Sequence, residues 1–158
     1  MARAILRHGP QKLSLAIDKA TLQEAHWFRK KIVRGITRQN PGGQRFKPLA
    51  KSTILTRRAS GGKGTKALIR TGELRNSIVV VKKSGGVFVG VPRAARSKNG
   101  RSLVSVAEIH EFGSRANVIK MTDKMRKFLG ATLGKKVLGS GGGTGIVIVT
   151  IPPRPFLR

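Results

Sequence analysis

The sequence predicts an α+β fold in which a long N-terminal helix packs across an antiparallel sheet. Apolar residues recur at three- and four-residue spacings over residues 12–37, the periodicity of one helical face. Two β-branched runs, 78–83 and 87–91, flank a Ser-Gly-Gly turn and predict a β-hairpin. A further apolar run at 146–151 lacks alternation, so we expect it to join the hairpin's sheet as a strand covered on both faces. A chain of 158 residues suits one domain, residues 1–158.

The predicted long helix carries an apolar stripe and a basic C-terminal half. We expect the stripe to face the core, and we expect its Trp–Phe pair to be core rather than a base-stacking surface. Cations at 29–34 suit the C-terminal end of the helix dipole, and Gly35 followed by residues 40–43 (Asn-Pro-Gly-Gly) predicts the helix end. The stripe consists of Leu13, Ala16, Ile17, Ala20, Glu24, Trp27, Phe28 and Ile32.

Shorter elements are predicted to follow in chain order. After a loop at 40–50, Ser52 is the expected N-cap of a short helix, and Thr122 that of the last helix. Gly113 is the expected C-cap of the helix before it. Short helices or helical turns are predicted at 52–58, 68–77, 103–112 and 122–138, and flexible loops at 60–66, 92–102 and 139–145.

The charge of the chain is strongly unbalanced. It has 33 Lys and Arg against six Asp and Glu, a formal net charge of +27. The cations are spread over both halves among 39% apolar residues, which indicates a folded body rather than a basic tail. Such self-repulsion calls for an acidic neighbour: nucleic acid, an acidic protein or a membrane surface. No apolar run is longer than four residues, as at 146–149, which is far short of a membrane span. A basic amphipathic helix lying on a membrane stays open, but we expect no membrane partner.

Catalytic chemistry has little support in the sequence. The absence of cysteine excludes disulfides, thiolate zinc sites and a Cys nucleophile. His110-Glu111 is not followed by a second His at zinc-binding spacing, and the glycines at 61–65 lack the spacing of a phosphate-binding P-loop. We therefore expect no enzyme activity, no metal and no cofactor. Without a recognisable nucleic-acid module, any DNA contact is expected to be to backbone phosphates.

Three phrases occur in a fixed order along the chain. The first is Leu68-Ile-Arg-Thr-Gly-Glu-Leu-Arg-Asn-Ser-Ile78, followed by the hairpin ending in Val89-Gly90. The second is Val106-Ala-Glu-Ile-His-Glu-Phe-Gly113, and the third leads from residues 121–129 to Ile151-Pro-Pro-Arg-Pro-Phe-Leu157. This ordered set resembles the virion morphogenesis proteins of tailed bacteriophages, the tail-completion or head–tail joining family. The resemblance covers about residues 45–157.

The resemblance implies that the matching residues are fold determinants rather than an active site. Thr71 and Gly72 would form a cap and tight turn that sets Leu74 into the core. Phe112 would be a buried ring at a helix end, and the proline-rich segment would hold Phe156 in the core or in a neighbouring subunit. The matching positions are Leu68, Thr71, Gly72, Leu74, Gly90, His110, Phe112, Gly113, Pro153, Arg154, Pro155 and Phe156.

The sequence departs from the family in two respects. Family members usually continue past the Arg-Pro-Phe-Leu phrase, whereas this sequence stops at Arg158. We therefore expect it to lack the C-terminal element that often completes the sheet or contacts a neighbour. The extreme basicity is also not a hallmark of the family.

The function implied by the resemblance is structural. Copies would form a ring in the neck or at the tail top of the virion, after assembly in the host cytoplasm, and join the DNA-filled capsid to the tail. Expected partners are other copies, connector or portal-side proteins, tail tube or sheath proteins, and genomic DNA in the lumen. The alternative is a sequence-independent nucleic-acid-binding protein of the nucleoid- or ribosome-associated type. Candidate contacts to DNA or an acidic partner are the loop cations Lys63, Lys66, Arg93, Arg96, Lys98 and Arg101.

Overall fold

The computed structural model describes residues 2–62, 64–133 and 145–157. Helix α1 lies across the β1–β2 hairpin, which confirms the predicted α+β class. None of the helices in the described ranges is long and apolar enough to cross a membrane. The elements in order are α1 (Ala2–Arg38), a 3₁₀ turn (Pro41–Gly43), α2 (Lys51–Ala59), α3 (Glu73–Asn76), β1 (Val79–Lys83), β2 (Gly86–Gly90), α4 (Leu103–Phe112), β3 (Asn117–Lys120), α5 (Asp123–Leu133) and β4 (Ile146–Val149).

The core joins distant parts of the chain. Helix α1 contributes Ile32 and Ile36, and the proline-rich C-terminal segment contributes Phe156, which is fully buried. Burying each such side chain stabilises the fold by about 1.5–3 kcal/mol. Insertion of Phe156 into the core, one of its two expected locations, is therefore confirmed. The complete cluster is Ile32, Ile36, Leu68, Leu74, Ile78 and Phe156.

The face of α1 that packs on the body is not the predicted stripe. The packed positions follow a 4-3-4-3-4 spacing that begins at Asp18, whose carboxylate binds Lys82 at 2.9 Å. Further along, Arg29 Nε donates a hydrogen bond to the Ile78 carbonyl at 2.6 Å. Residues 9–21 are exposed throughout. The body-facing positions are Asp18, Leu22, Ala25, Arg29, Ile32 and Ile36.

Most of the predicted stripe therefore points away from the body. Leu13 is 63% exposed, Ile17 and Trp27 are each 56% exposed, and Phe28 is 38% exposed. Of the eight predicted positions only Ile32 is buried. The expectation that the Trp–Phe pair is core was wrong. The reason is that α1 has two apolar faces, and the position of the hairpin decides which of them is covered.

The strand at the C-terminal end does not join the hairpin. β4 pairs antiparallel with β3, with Asn117 opposite Val149, so the described residues form two separate two-stranded sheets. Ile146 is 63% and Ile148 67% exposed, so the expectation of a strand covered on both faces was also wrong. β3 is a four-residue strand between loops, too short to predict from local pattern. Because β4 pairs with this distant strand, it does not join the hairpin.

Turns and caps agree better with the sequence. Gly72 has φ 80° at the start of α3, and Gly113 has φ 85° after α4, where a Cβ would lie 3.1 Å from the Ile151 carbonyl oxygen. Thr122 Oγ1 accepts a hydrogen bond from the Met125 amide, which confirms that cap. Two expected caps differ: the N-cap of α2 is Ala50 and not Ser52, and that of α3 is Gly72 with no side-chain hydrogen bond, so Thr71 does not cap it.

Phe112 is a further correction. Its side chain is 81% exposed rather than buried. α4 turns Leu103, Val106, Ala107 and His110 toward the body, and Phe112 lies about 180° around the helix from Leu103. Which way the side chain of a helix's last residue points is set by which face of the helix is buried. In α4 the buried face holds Leu103, so the Phe112 ring points outward.

The remaining loop and helix predictions fall partly outside the described residues. The hairpin and the helical turn before it are confirmed. Residues 60–66 and 92–102 contain no helix or strand within the described residues, apart from an isolated bridge between Arg96 and Ser102. Lys63, the predicted end of the last helix at 134–138 and residues 139–144 of the predicted loop lie outside the described residues.

Candidate anion-binding cleft

A basic cleft of about 510 Å³ opens on the side of the body formed by α2, α4 and the C-terminal segment. The residues that line it come from five separate stretches of chain, so they converge only in the folded protein. Glu73 contributes a carboxylate to the lining. The basic side chains are Arg57, Arg70, Lys98, Arg101, His110 and Arg154.

Arg154 anchors one wall of the cleft. Its side chain is 6% exposed. Nε donates to the Lys47 carbonyl at 3.0 Å and Nη2 donates to the Pro48 carbonyl at 3.3 Å. The Arg154 backbone amide donates to the His110 carbonyl. Burial lowers the pKa of the guanidinium, which nevertheless stays charged at neutral pH. Arg154 thus ties the loop before α2 to the C-terminal segment, as expected of a fold determinant.

Arg57 forms a second fixed positive charge. Its Nη1 donates to the Lys66 carbonyl at 2.8 Å and to the Gly64 carbonyl at 3.4 Å. Burial lowers the pKa of Arg57, and the neighbouring charges of Arg70 and Arg154 lower it further. The shift shows that these guanidinium groups repel one another across the cleft.

His110 lies between these arginines with an unsatisfied ring nitrogen. Within the described residues, its buried Nδ1 has no hydrogen-bond partner. Burial lowers the pKa of His110, and the charges of Arg154 and Arg57 add to the effect. The imidazole is therefore neutral at pH 7. A buried polar atom without a partner is uncommon in folded proteins and needs a physical reason. An anion in the cleft would supply one, because it could accept a hydrogen bond from an Nδ1–H group.

The cleft has little compensating negative charge. The ion pair between Lys82 and Asp18 lies on the body-facing side of α1, and neither residue lines the cleft. Glu73 Oε1 accepts the Lys98 backbone amide at 3.3 Å. Converging guanidinium groups without carboxylate partners suit a phosphate or a carboxylate ligand, since both can accept paired N–H donors.

The structure brings together part of the predicted contact set. Lys98 and Arg101 line the cleft. Lys66 instead reaches the Thr37 carbonyl with Nζ at 3.2 Å. Arg96 donates to the Arg93 carbonyl, and neither of these two residues is among the lining residues. Lys63 lies outside the described residues.

Sequence reasoning did not identify two arginines of the cleft, and it predicted a purely structural role for a third. Arg57 and Arg70 were not singled out, and Arg154 was assigned to the fold alone. Arg70, His110 and Arg154 each lie within one of the three phrases, and this was the available signal. That the phrases share one cleft depends on tertiary contacts. Among the described residues, no group of three or more His, Asp or Glu could hold a metal ion.

No family model, curated protein sequence or solved structure matches this chain. The interpretation of the cleft therefore depends on its own geometry and charge.

Replacing Arg154 by Lys tests the anchoring role of its planar guanidinium. Lysine keeps the charge but cannot span the Lys47 and Pro48 carbonyls together. We expect the free energy of unfolding to fall by about 1–3 kcal/mol. Arg101→Lys is the matched control, because Arg101 is exposed and should change stability by no more than about 0.5 kcal/mol. Chemical denaturation of both variants measures the difference. Equal stability of the two would contradict the anchoring role.

The lowered pKa of His110 predicts acid sensitivity. Its pKa is lower in the folded than in the unfolded chain, so the unfolded chain takes up the proton first as the pH falls. The neutral His110 therefore stabilises the folded chain above about pH 6.5, and this stabilisation is lost as the pH falls toward the pKa of His110 in the folded chain. His110→Gln should flatten this loss in denaturation curves recorded from pH 7.5 to 5, whereas His26→Gln, at an exposed site on α1, controls for loss of an imidazole. Inorganic phosphate should reduce the loss in wild type more than chloride at equal ionic strength. Unchanged acid sensitivity in His110→Gln would sink the assignment.

Proposed function

We propose that this chain is a structural subunit of a tailed-bacteriophage head–tail connector, a ring in the neck or at the tail top of the virion. One observation carries the proposal. The three phrases that resemble the tail-completion family meet in a single interlocked core, while an apolar face of the longest helix is left uncovered. The first half of this observation fits a scaffold, and the second fits a subunit that is completed by neighbours.

Hydrogen bonds from main-chain amides of the third phrase connect it to the second phrase. Glu111 Oε2 accepts the Phe156 amide at 2.8 Å and the Leu157 amide at 3.4 Å. One residue earlier, the His110 carbonyl accepts the Arg154 amide. These groups hold chain segments together and do not converge on a point where a substrate would react. This arrangement supports a structural role for the phrases.

The uncovered face of α1 supports assembly. Soluble monomers rarely expose a contiguous apolar patch larger than a few hundred Å², and larger patches mark interaction surfaces. Leu13, Ile17 and Trp27 lie along one side of the helix, and each is more than half exposed. An assembly subunit would cover them with a neighbouring protein.

The net charge supports a location beside DNA or acidic proteins. Identical copies that each carry +27 repel one another, so a ring of them needs negative charge close by. Phosphates of DNA inside a conduit would supply it, at about one charge per 1.7 Å of duplex axis. The basic cleft and the loop cations are the surfaces that could meet those phosphates or an acidic connector protein.

Imaging of the purified full-length chain tests the assembly proposal. At micromolar concentration and moderate salt we expect closed rings of uniform size by negative-stain electron microscopy, with a matching mass by mass photometry. Short duplex DNA or a polyanion should favour the rings by offsetting repulsion, so rings should dissociate at lower protein concentration when it is removed. A chain that stays monomeric in every one of these conditions would contradict the proposal.

A second candidate function, sequence-independent binding of nucleic acid, is favoured by one observation. Trp27 lines a pocket of about 640 Å³ in which every charged side chain is a cation. Lys31 Nζ lies 4.8 Å from the centroid of the Trp27 ring. An exposed ring among cations can stack a base while the cations bind phosphates. The charged lining residues are Lys30, Lys31, Arg34 and Arg38.

The fluorescence of Trp27, the single tryptophan of the chain, tests this second function. If the function holds, a single-stranded oligonucleotide quenches Trp27, and its affinity falls steeply with salt. The double variant Lys30→Ala, Arg34→Ala should lower the slope of log affinity against log salt by about 1.4. The double variant Lys124→Ala, Lys127→Ala removes the same charge from α5 and should change the slope less. A ring-forming protein whose Trp27 emission does not respond to oligonucleotide would exclude this function.

A further inference from the structure

Two apolar surfaces are left uncovered by the residues that the structure describes. The first is the outer stripe, the part of α1 formed by Leu13, Ala16, Ile17, Ala20 and Trp27, which faces away from the body. The second is the C-terminal groove, a depression of about 230 Å³ between β2, α4 and the C-terminal segment. Its apolar wall includes Phe88, Val104, Phe112, Phe156 and Leu157.

The outer stripe has a defined direction and a basic flank. At about 100° per residue, Leu13, Ala16, Ile17 and Ala20 fall within one arc of about 100°. Trp27 follows two turns later on the same arc, with the exposed Glu24 between it and Ala20. Lys12 and Lys19 lie together on one side of that arc. The stripe extends about 21 Å along the helix. A partner for it must therefore be apolar in the middle and acidic on one side.

The C-terminal groove has that character. Its wall is almost wholly apolar, and Phe112 and Leu157 remain 81% and 43% exposed. Glu108 and Glu111 are the charged residues of the lining, so the groove holds two of the six carboxylates of a chain with net charge +27. Glu111 uses Oε2 for the main chain of the C-terminal segment, while Glu108 is exposed and has no hydrogen bond or ion pair within the described residues.

We infer that the outer stripe of one copy docks in the C-terminal groove of the next copy. The inference rests on the proposed ring assembly and specifies its subunit contact. A chain cannot fill its own groove in this way, because its stripe faces away from its own body. Lys12 and Lys19 of one copy complement Glu108 and Glu111 of the next. A contact between two different surfaces of identical chains is head-to-tail, and such contacts generate rings when the rotation closes.

Cross-linking tests the contact directly, because the natural chain has no cysteine to interfere. Ala16→Cys places a thiol in the outer stripe, and Ser105→Cys places one on the exposed side of α4 near Phe112. With a short bismaleimide, the double variant should form a ladder of covalent oligomers. The matched control is Leu15→Cys with Ser105→Cys, since Leu15 is exposed but lies about 150° around α1 from the stripe centre. We expect at least about tenfold more ladder from the first pair, a preference worth about 1.4 kcal/mol.

The single-cysteine variants separate the competing arrangements. If Ala16→Cys alone cross-links as well as the double variant, stripes pair with stripes and the inference is overturned. Rings seen by electron microscopy without a preferential Ala16–Ser105 cross-link overturn the inference and leave the proposed function standing. Monomers in every condition overturn both.

Charge reversal provides a second measurement on the same contact. Glu108→Lys should weaken self-association at low salt by at least about fivefold, since like charges facing across an interface are repulsive. Adding Lys19→Glu should restore much of the loss, whereas Lys124→Glu on α5 should not. Restoration by Lys124→Glu to the same extent would mean that only net charge matters, and would overturn the contact.

Discussion

The burial of Phe156 is the interaction on which the rest of the structure depends. The C-terminal segment has no helix or strand of its own at 151–157, so side chains must hold it in place. Arg154 binds two carbonyls before α2, and Glu111 accepts the amides of Phe156 and Leu157. The ring packs among Ile32, Ile36 and Ile78, which joins the C-terminal segment to the C-terminal half of α1 and to the start of the hairpin. The walls of the basic cleft and of the C-terminal groove both follow from that placement.

The scarcity of carboxylates makes each of them informative. Asp18 pairs with Lys82 and orients α1, while Glu111 holds the C-terminal segment. Glu73 accepts a loop amide beside the cleft. Because so few acids are present, arginines such as Arg57 and Arg154 bind main-chain carbonyls instead of carboxylates. Their positive charge is therefore not neutralised by the main-chain groups that they bind.

Local signals identified the elements well, and their errors concern long-range packing. The glycines at 72 and 113 take the positive φ values that their turns require, and the hairpin around residues 84–85 forms as expected. The stripe on α1 was a correct reading of helical periodicity, but periodicity does not say which apolar face meets the body. β4 was recognised as a strand, yet its partner β3 is too short to stand out locally. The arginines of the cleft came from separate segments, so no spacing along the chain could connect them.

The sequence by itself determined the α+β class, most of the helices and strands and several turn positions, because these follow from contacts over a few residues. Tertiary structure alone decided that Phe156 is buried while Phe112 is exposed, that β4 pairs away from the hairpin, and that Arg57, Arg70 and Arg154 face one cleft. Each of these outcomes depends on which distant surfaces fit together. A pattern in the chain marks a surface as apolar or basic, whereas packing decides whether that surface is used inside the molecule or left for a partner.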